Sequence, residues 1–241
     1  MRLLDILKRT IPYDMRQRMK RKLFHVNDMP ARLQRLRGAG FTCTGFIDGG
    51  AFEGEWTRQF WGVFPALPAV MVEPLPAKQA GLRKISGQVA GSSVVTAALG
   101  REPGTARFRV SETNSGVLSA SESPSDGVIE VRLMTLDEIL AIDASFRPNL
   151  LKLDLQGHEL ECMEGCRNLA ANFEVIVIEI SLIPIGGAPV FTQVNNYLEQ
   201  KGYRLYDVIP QYYRPMDGAL FQVDAIYVRT GSSLLSSVQW D

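Results

Sequence analysis

The chain has 241 residues, of which 46% are hydrophobic and 22% are charged. This composition predicts a soluble globular protein and excludes the disordered and membrane-embedded classes. The length suits one α/β domain with a small appendage. Three cysteines, an odd number, argue against a disulfide framework and favour a reducing, cytoplasmic location.

A net charge of zero conceals an uneven distribution. Residues 1–40 carry eleven Lys or Arg and three Asp, whereas the remaining chain carries fifteen basic and twenty-three acidic residues. Apolar residues recur at helical spacing over 3–7 and 15–23. We therefore predict a basic, amphipathic helical N-terminal segment, residues 1–40, followed by a catalytic domain, residues 41–241.

The basic segment could contact a membrane surface, a protein partner or the acidic body of its own domain. Too few aromatic residues lie among its basic residues for a nucleic-acid stacking platform, so no nucleic-acid partner is expected. The sequence leaves the oligomeric state open.

Strands and helices alternate along the catalytic domain, which is typical of an open, mostly parallel sheet with ligands at the carboxyl ends of its strands. Apolar runs predict strands over 41–48, 69–73, 94–99, 150–155 and 175–180. Helices are predicted over 53–61, 78–85, 158–168 and 190–201, and a Thr135–Glu138 capping box begins another.

Two further strand pairs are predicted outside this alternation. Residues 104–110 and 128–133 form a β excursion around a long polar loop, residues 111–127, of the kind that often carries function. Residues 203–208 and 221–228 form a final antiparallel pair.

A glycine-containing turn follows the first predicted strand. The turn reads Asp48-Gly49-Gly50-Ala51, and the second strand ends at Glu73, twenty-five residues after Asp48. Glycines let the backbone approach a ligand, and a strand-end carboxylate can accept hydrogen bonds from ribose hydroxyls. We assign these five residues to an adenosine-containing cofactor.

The identity of that cofactor follows from Asp48 and the glycine spacing. The glycines do not fit G-x-G-x-x-G, and Asp48 would repel a pyrophosphate. S-adenosylmethionine, which has an ammonium group, suits the turn better than a nicotinamide dinucleotide does. A nicotinamide-dependent oxidoreductase remains the alternative enzyme class, and capping of the next helix remains the alternative role for Asp48.

Strand ends gather further carboxylates at the same edge of the predicted sheet. Asp154 ends the fourth predicted strand, and Glu179 lies near the end of the fifth. Asp154 is expected to face the reacting groups, or alternatively to stabilise the Gln156-Gly157 turn.

His158 lies beside this edge, at the start of a predicted helix. A neutral imidazole there could take the proton of an acceptor hydroxyl, although a structural hydrogen bond is the alternative. Cys162 and Cys166 follow His158 at helical spacing, but eight residues of helix span about 12 Å, too far for one metal ion. We expect buried packing for both cysteines and no metal site.

The sequence resembles the FkbM family of S-adenosylmethionine-dependent methyltransferases. Gly49 stands where the family more often has valine, and Gln156 where many members have glutamate. The resemblance rests on ordered motifs between residues 45 and 228, namely Phe46-Ile47-Asp48-Gly49-Gly50-Ala51, Val72-Glu73-Pro74, Ala97-Ala98-Leu99-Gly100, Thr135-Leu136-Asp137, Leu151-Lys152-Leu153-Asp154-Leu155-Gln156-Gly157-His158-Glu159-Leu160 and Gln222-Val223-Asp224-Ala225.

The resemblance implies a class I methyltransferase fold, which is Rossmann-like. This fold has a mostly parallel seven-stranded sheet, helices on both faces and one antiparallel strand. It also implies methyl transfer to a hydroxyl of a small-molecule acceptor, a sugar, a glycan or a natural product. A non-catalytic module that binds cofactor while the basic segment recruits it elsewhere is the remaining alternative. Asp224 is expected at the edge of the site or paired with an arginine.

Overall fold

The computed structural model describes residues 28–110, 115–118, 127–184 and 187–236. The helices predicted over 3–7 and 15–23 lie outside these residues, as does most of the predicted loop 111–127. The described strands are β1 (Phe46–Gly49), β2 (Ala69–Val72), β3 (Ser93–Val95), β4 (Ala98–Leu99), β5 (Gly104–Arg109), β6 (Gly116–Val117), β7 (Val128–Met134), β8 (Leu150–Leu153), β9 (Val175–Ser181), β10 (Tyr203–Tyr213) and β11 (Leu220–Arg229).

The described helices connect these strands and cover the sheet. They are α1 (Met29–Gly38), α2 (Glu55–Trp61), α3 (Pro76–Ser86), α4 (Leu136–Ala141), α5 (Glu159–Glu164), α6 (Leu169–Asn172) and α7 (Phe191–Gln200). A single 3-10 turn, Ser233–Leu235, follows β11. None of the described helices is both long enough and apolar enough to cross a membrane.

Seven strands form the main sheet, in the order β10-β11-β9-β8-β1-β2-β3. Only β11 runs against its neighbours β9 and β10. The parallel strands β1, β8 and β9 are buried at nearly every position because both faces of the sheet are covered. The predicted class I methyltransferase fold, with one antiparallel strand and helices on both faces, is confirmed.

Alternation along β9 divides the core into two layers. Val175 and Val177 pack on the face that carries α1 and α2, whereas Ile176 and Ile178 pack on the face that carries α4, α5, α6 and α7. The two layers enclose the centre of the sheet, and the ends of its strands remain accessible.

The strand predicted over 94–99 is wrong, because two strands in different sheets occupy that range. β3 continues the main sheet beside β2, and β4 begins a small sheet of order β4-β7-β5-β6. The break falls at Thr96, whose hydroxyl donates to Gln79 Oε1 on α3 at 2.8 Å. The β excursion predicted from the sequence is confirmed, since β5 and β7 pair antiparallel within this small sheet.

The helix predicted over 158–168 is also wrong in extent. α5 ends at Glu164, and a Cβ on Gly165 would lie 2.3 Å from the carbonyl oxygen of Gly100. The loop after β4 therefore packs against the end of α5, which only glycine permits. The predicted Thr135–Glu138 capping box is present at the start of α4.

Helix α1 lies within the predicted N-terminal segment and packs on the sheet. Leu33 and Leu36 are fully buried beside Phe41 and Phe46. Arg32 Nη1 lies 2.8 Å from Asp207 Oδ2 on β10, which fixes the helix against the far edge of the sheet. Residues 29–38 thus share the hydrophobic core of the catalytic domain.

Replacing Leu33 with alanine measures how much this helix contributes to domain stability. We expect Leu33→Ala to lower the free energy of unfolding by about 2–5 kcal/mol, because it leaves a cavity in the core. Gln34→Ala, an exposed neighbour on the same helix, is the control and should change it little. Equal urea midpoints for the two variants would show that α1 is not part of the cooperative unit.

Candidate functional site

A cleft of about 260 Å³ opens at the carboxyl ends of β1, β2 and β8. The loops that follow these strands form one part of it, the small sheet forms another, and β10 reaches its mouth. Its lining consists of Gly50, Phe52, Val72, Glu73, Pro74, Leu75, Ala97, Ala98, Leu99, Phe108, Ser115, Val117, Asp154, Leu155, Gln156, His158 and Tyr212.

Glu73 joins the loops after β1 and β2. Its two carboxylate oxygens accept hydrogen bonds from the backbone N–H groups of Phe52 and Leu75, each at 2.9 Å. Each oxygen keeps a further lone pair for a ligand. Burial raises the pKa of Glu73, and the two N–H donors oppose that rise. The predicted ribose-binding carboxylate therefore lies in the cleft wall, already positioned by backbone.

The glycine turn is built around close backbone contacts. Gly50 has φ +73°, and a Cβ there would lie 1.9 Å from the carbonyl oxygen of Asp154. The N–H groups of Gly50 and Ala51 both donate to the carbonyl of Val72, which holds the turn on β2. Gly50 lines the cleft, whereas Gly49 and Ala51 are outside its lining, with Ala51 packed against α3.

Asp48 is fully buried beneath this turn and is not part of the cleft lining. Its Oδ2 accepts a hydrogen bond from the Thr57 hydroxyl on α2 at 2.7 Å, and its Oδ1 lies 3.1 Å from Lys152 Nζ. Lys152 also donates to the carbonyls of Gly49 and Gly50, at 3.3 and 3.0 Å. Asp48 therefore forms a buried ion pair with Lys152 and supports the glycine turn from beneath.

Lys152 stays charged despite its burial. Burial alone would lower its pKa, but Asp48 and Asp154 outweigh that effect and raise the pKa above its usual value. The site therefore contains a permanent ammonium group directly under the glycine turn.

Asp154 is the more accessible of the two carboxylates that line the cleft, with 35% of its side chain exposed. It accepts a hydrogen bond from Gln156 Nε2 at 2.8 Å, and the same nitrogen lies 3.0 Å from Glu179 Oε1. Gln156 has φ +54°, a strained conformation for a residue with a side chain. The structure therefore brings Asp154 to the cleft and also gives it the turn contact that the sequence left as the alternative.

Glu159 closes the same turn from the other side. Its carboxylate accepts hydrogen bonds from the N–H groups of Leu155 at 2.8 Å and Gly157 at 3.1 Å. Burial raises the pKa of Glu159 to about 7, against the lowering effect of these backbone donors. Glu159 holds the loop that presents Asp154 and His158.

His158 lines the cleft and contacts the small sheet. Its Nε2 lies 2.9 Å from the carbonyl oxygen of Val117 on β6. A carbonyl oxygen can only accept, so Nε2 carries a proton, and in the neutral form of the ring the lone pair lies on Nδ1. The geometry leaves one basic nitrogen for chemistry.

Two acidic side chains stand directly opposite each other on the last strands. Asp224 on β11 is paired in register with Glu179 on β9. Burial, followed by the charges of Asp154 and Asp224, raises the pKa of Glu179 to about 9. Burial and Asp154 likewise raise the pKa of Asp224 to about 7. Glu179 is therefore protonated at neutral pH, and its Oε1 also accepts a hydrogen bond from Gln222.

Sequence reasoning missed three residues of the site. Lys152 is a charge within a fully buried strand, a pattern that could have revealed it. Phe52 has φ +47°, lines the cleft and lies under Lys78 Nζ at 3.8 Å, but nothing in its sequence context indicates this. Tyr212 reaches the cleft because β10 runs five residues past its predicted end.

The protonated state of Glu179 predicts a pH dependence of stability. Above the ordinary pKa of a carboxyl group the unfolded chain ionises while folded Glu179 keeps its proton, so this group destabilises the fold progressively up to about pH 9. Glu179→Gln removes the titration and can still accept from Gln156 and Gln222. Relative to wild type, its free energy of unfolding should therefore rise between about pH 5 and about pH 9.

Chemical denaturation across that range measures this difference. Glu199→Gln, at an exposed glutamate on α7, is the control and should track wild type. If the free energies of unfolding of Glu179→Gln and wild type differ by a constant amount across this pH range, folded Glu179 is ionised.

Within the described residues, no three His, Cys, Asp or Glu side chains converge as a metal ion would require. The donors that do converge are carboxylates bound to backbone N–H groups, amides and one lysine. This set suits a polar organic ligand with hydroxyl and amine groups.

Comparison with known proteins gives one curated relative. The chain is 29% identical over 93 residues to the hexuronic acid methyltransferase AglP of Haloferax volcanii. The match covers 33% of this chain and 38% of that protein, so the chain spans well under half the length of this relative.

Two solved structures show distant likeness. The precorrin-6y C5,15-methyltransferase of Geobacter metallireducens has a TM-score of 0.48 and 13% identity, over 86% of this chain and 90% of that one. The 1,6-didemethyltoxoflavin-N1-methyltransferase of Burkholderia thailandensis, with S-adenosylhomocysteine bound, has a TM-score of 0.45 and 11% identity, over 88% of this chain and 83% of that one.

The sequence also matches the methyltransferase FkbM domain over residues 49–205, from the end of β1 into β10. This range covers more than half of the chain and contains the loops that form most of the cleft. The protein therefore belongs to the FkbM family of methyltransferases, and its cofactor is S-adenosylmethionine.

Proposed function

We propose that the protein transfers a methyl group from S-adenosylmethionine to a hydroxyl oxygen of a sugar, glycan or natural-product acceptor. The observation that carries this proposal is a single cleft lined by the strand-end carboxylate of Glu73, the exposed carboxylate of Asp154 and the basic nitrogen of His158. The cofactor supplies an activated methyl group on sulfur. The acceptor oxygen forms the new C–O bond, the C–S bond breaks with its electron pair going to sulfur, and the hydroxyl proton leaves.

Glu73 and Gly50 are the residues that would hold the cofactor directly. Glu73 keeps lone pairs for ribose hydroxyls, and Gly50 exposes backbone at the cleft. Asp48, Gly49 and Ala51 remain predicted cofactor residues, and we propose that they act by shaping the turn rather than by contact. Their burial outside the cleft lining supports this role.

Asp154 and His158 would serve the acceptor. Methyl transfer is an in-line displacement, so most of the rate can come from holding the acceptor oxygen at the right distance and angle. Asp154 can accept a hydrogen bond from the acceptor hydroxyl, and Nδ1 of His158 can take its proton.

The curated relative and the family bear on the acceptor and on the alternative functions. The curated relative acts on a hexuronic acid by its name, which favours a sugar acceptor. Membership of a methyltransferase family removes the support for a nicotinamide-dependent oxidoreductase. An experiment distinguishes an enzyme from the non-catalytic module, because the module would bind cofactor without transferring methyl to any acceptor.

The primary test is a mass-detected screen of hydroxyl-bearing acceptors with S-adenosylmethionine, alongside calorimetry of cofactor binding. We expect binding together with methylation of a hydroxyl in at least one sugar-like acceptor. Methylation only at nitrogen or carbon would contradict the proposal.

A first prediction concerns Glu73. Glu73→Ala should weaken S-adenosylhomocysteine binding by about 2 kcal/mol, roughly 30-fold in Kd, because two hydrogen bonds to a buried carboxylate are lost. Glu55→Ala, at an exposed glutamate on α2, is the control and should bind normally.

Because Glu73 also holds two loops, a second ligand separates contact from loop disorder. A 2′,3′-dideoxyribose analogue of S-adenosylhomocysteine lacks the hydroxyls that Glu73 would bind. It should therefore bind wild type weakly, and Glu73→Ala should lower its affinity little further. A full additional loss with the analogue would mean that Glu73 acts only through the loops.

A second prediction concerns His158. His158→Ala should reduce kcat by about 10²–10⁴-fold with nearly unchanged cofactor affinity, the range typical of a general base. His158→Gln can keep the hydrogen bond to Val117 but has no basic nitrogen, so it should preserve stability and lose the same turnover. Recovery of turnover in the glutamine variant would make His158 a positioning residue.

A further inference from the structure

The charged side chains that line the cleft are mainly acidic. Among its described lining residues the ionisable acids and bases other than tyrosine are Glu73, Asp154 and His158, and none is a lysine or arginine. Glu179 and Asp224 stand behind Asp154 on adjacent strands. A ligand that reaches Asp154 therefore meets carboxyl groups in succession.

The cations beside the cleft are already paired. Lys152 is bound to Asp48 and to two backbone carbonyls under the glycine turn, and its Nζ lies 3.7 Å from Asp154 Oδ2. Lys78 lies over the Phe52 ring and forms a 2.6 Å ion pair with Glu53. Neither ammonium group is left to bind an anionic ligand.

Arginines on the small sheet point away from the cleft. Phe108 lines the cleft, and side chains alternate along a strand, so Arg107 and Arg109 lie on the opposite face of β5.

The remaining groups at this end of the cleft suit neutral hydroxyls. Gln156 connects Asp154 to Glu179, and Gln222 and Gln211 bind Glu179 and Asp224. Amides and carboxyl groups both donate to and accept from sugar hydroxyls. Tyr212, 61% exposed at the cleft, offers an aromatic face of the kind that packs on the apolar side of a sugar ring.

We propose that the acceptor is a neutral or amine-bearing sugar, unlike the hexuronic acid in the name of the curated relative, and that the cleft rejects acceptors carrying a carboxylate, phosphate or sulfate. The inference rests on the methyltransferase function proposed above and names its acceptor class by charge. Asp154 is the carboxylate that an acceptor meets first, and it carries the discrimination.

The ionisation of the cluster supports the same conclusion. Burial and neighbouring carboxylates raise the pKa of Glu179 to about 9 and that of Asp224 to about 7, so Glu179 is neutral at pH 7 and offers hydrogen bonds rather than charge. An anionic acceptor is repelled by the Asp154 carboxylate, whereas an ammonium group is attracted to it.

A matched set of p-nitrophenyl glycosides tests the proposal: a hexoside, a 2-amino-2-deoxyhexoside, a hexuronide and the corresponding hexuronamide. The hexuronide and hexuronamide share a shape and differ in charge. We expect the hexuronamide to exceed the hexuronide by at least about tenfold, in kcat/KM or in affinity measured with S-adenosylhomocysteine present.

Asp154→Asn should reduce that ratio, whatever its effect on turnover, because it removes the charge while keeping a polar side chain. Glu199→Gln, remote from the cleft, should leave the ratio unchanged. A ratio that Asp154→Asn does not alter would assign the discrimination elsewhere and overturn the role of Asp154.

The other outcomes are also decisive. A hexuronide that binds as well as or better than the hexuronamide overturns the inference, and a hexuronide preference that weakens with salt would point to the basic residues of the N-terminal segment. Binding of S-adenosylhomocysteine without binding or methylation of any glycoside also overturns it, leaving the methyltransferase function standing. Loss of S-adenosylhomocysteine binding in the wild-type protein would instead contradict the proposed function.

Discussion

The buried ammonium group of Lys152 is the interaction on which the site depends. A charge taken out of water is costly unless its partners surround it, so Asp48 and the carbonyls of Gly49 and Gly50 must converge on it. Asp48 in turn is bound to Thr57, which fixes the start of α2. One lysine on β8 thereby sets the conformation of the turn after β1.

Carboxylates bound to backbone N–H groups extend this constraint to the rest of the cleft. Glu73 joins the loops after β1 and β2, and Glu159 closes the loop after β8. Most of the acids at this edge of the sheet are therefore structural. Asp154 differs because it remains partly exposed while its neighbour Gln156 holds it in place.

The sequence predicts the main sheet well because alternating strands and helices leave few arrangements. It fails at 94–99 and 158–168, where contacts from distant loops end an element that local sequence would continue. At the site, strand-end position correctly brings Glu73, Asp154 and His158 to the cleft. Position at a strand end does not say which way a side chain points, so the buried residues Asp48 and Ala51 could not be distinguished from those that line the cleft. Tyr212 reaches the cleft through a long hairpin that no sequence motif indicates.

The acidity of the cleft has a consequence for the proposed reaction. Negative charge favours a cationic sulfonium over the neutral thioether that remains after transfer, so it strengthens cofactor binding more than it stabilises the transition state. Beside the sulfonium, charge of this sign helps product release and does not lower the barrier, whereas a carboxylate beside the acceptor oxygen stabilises the positive charge that this oxygen gains before its proton leaves. The rate must then come from positioning and proton removal, which accounts for a site whose loops are fixed by a buried lysine, Glu73 and Glu159. Rigidity of these loops is the property that the chemistry requires.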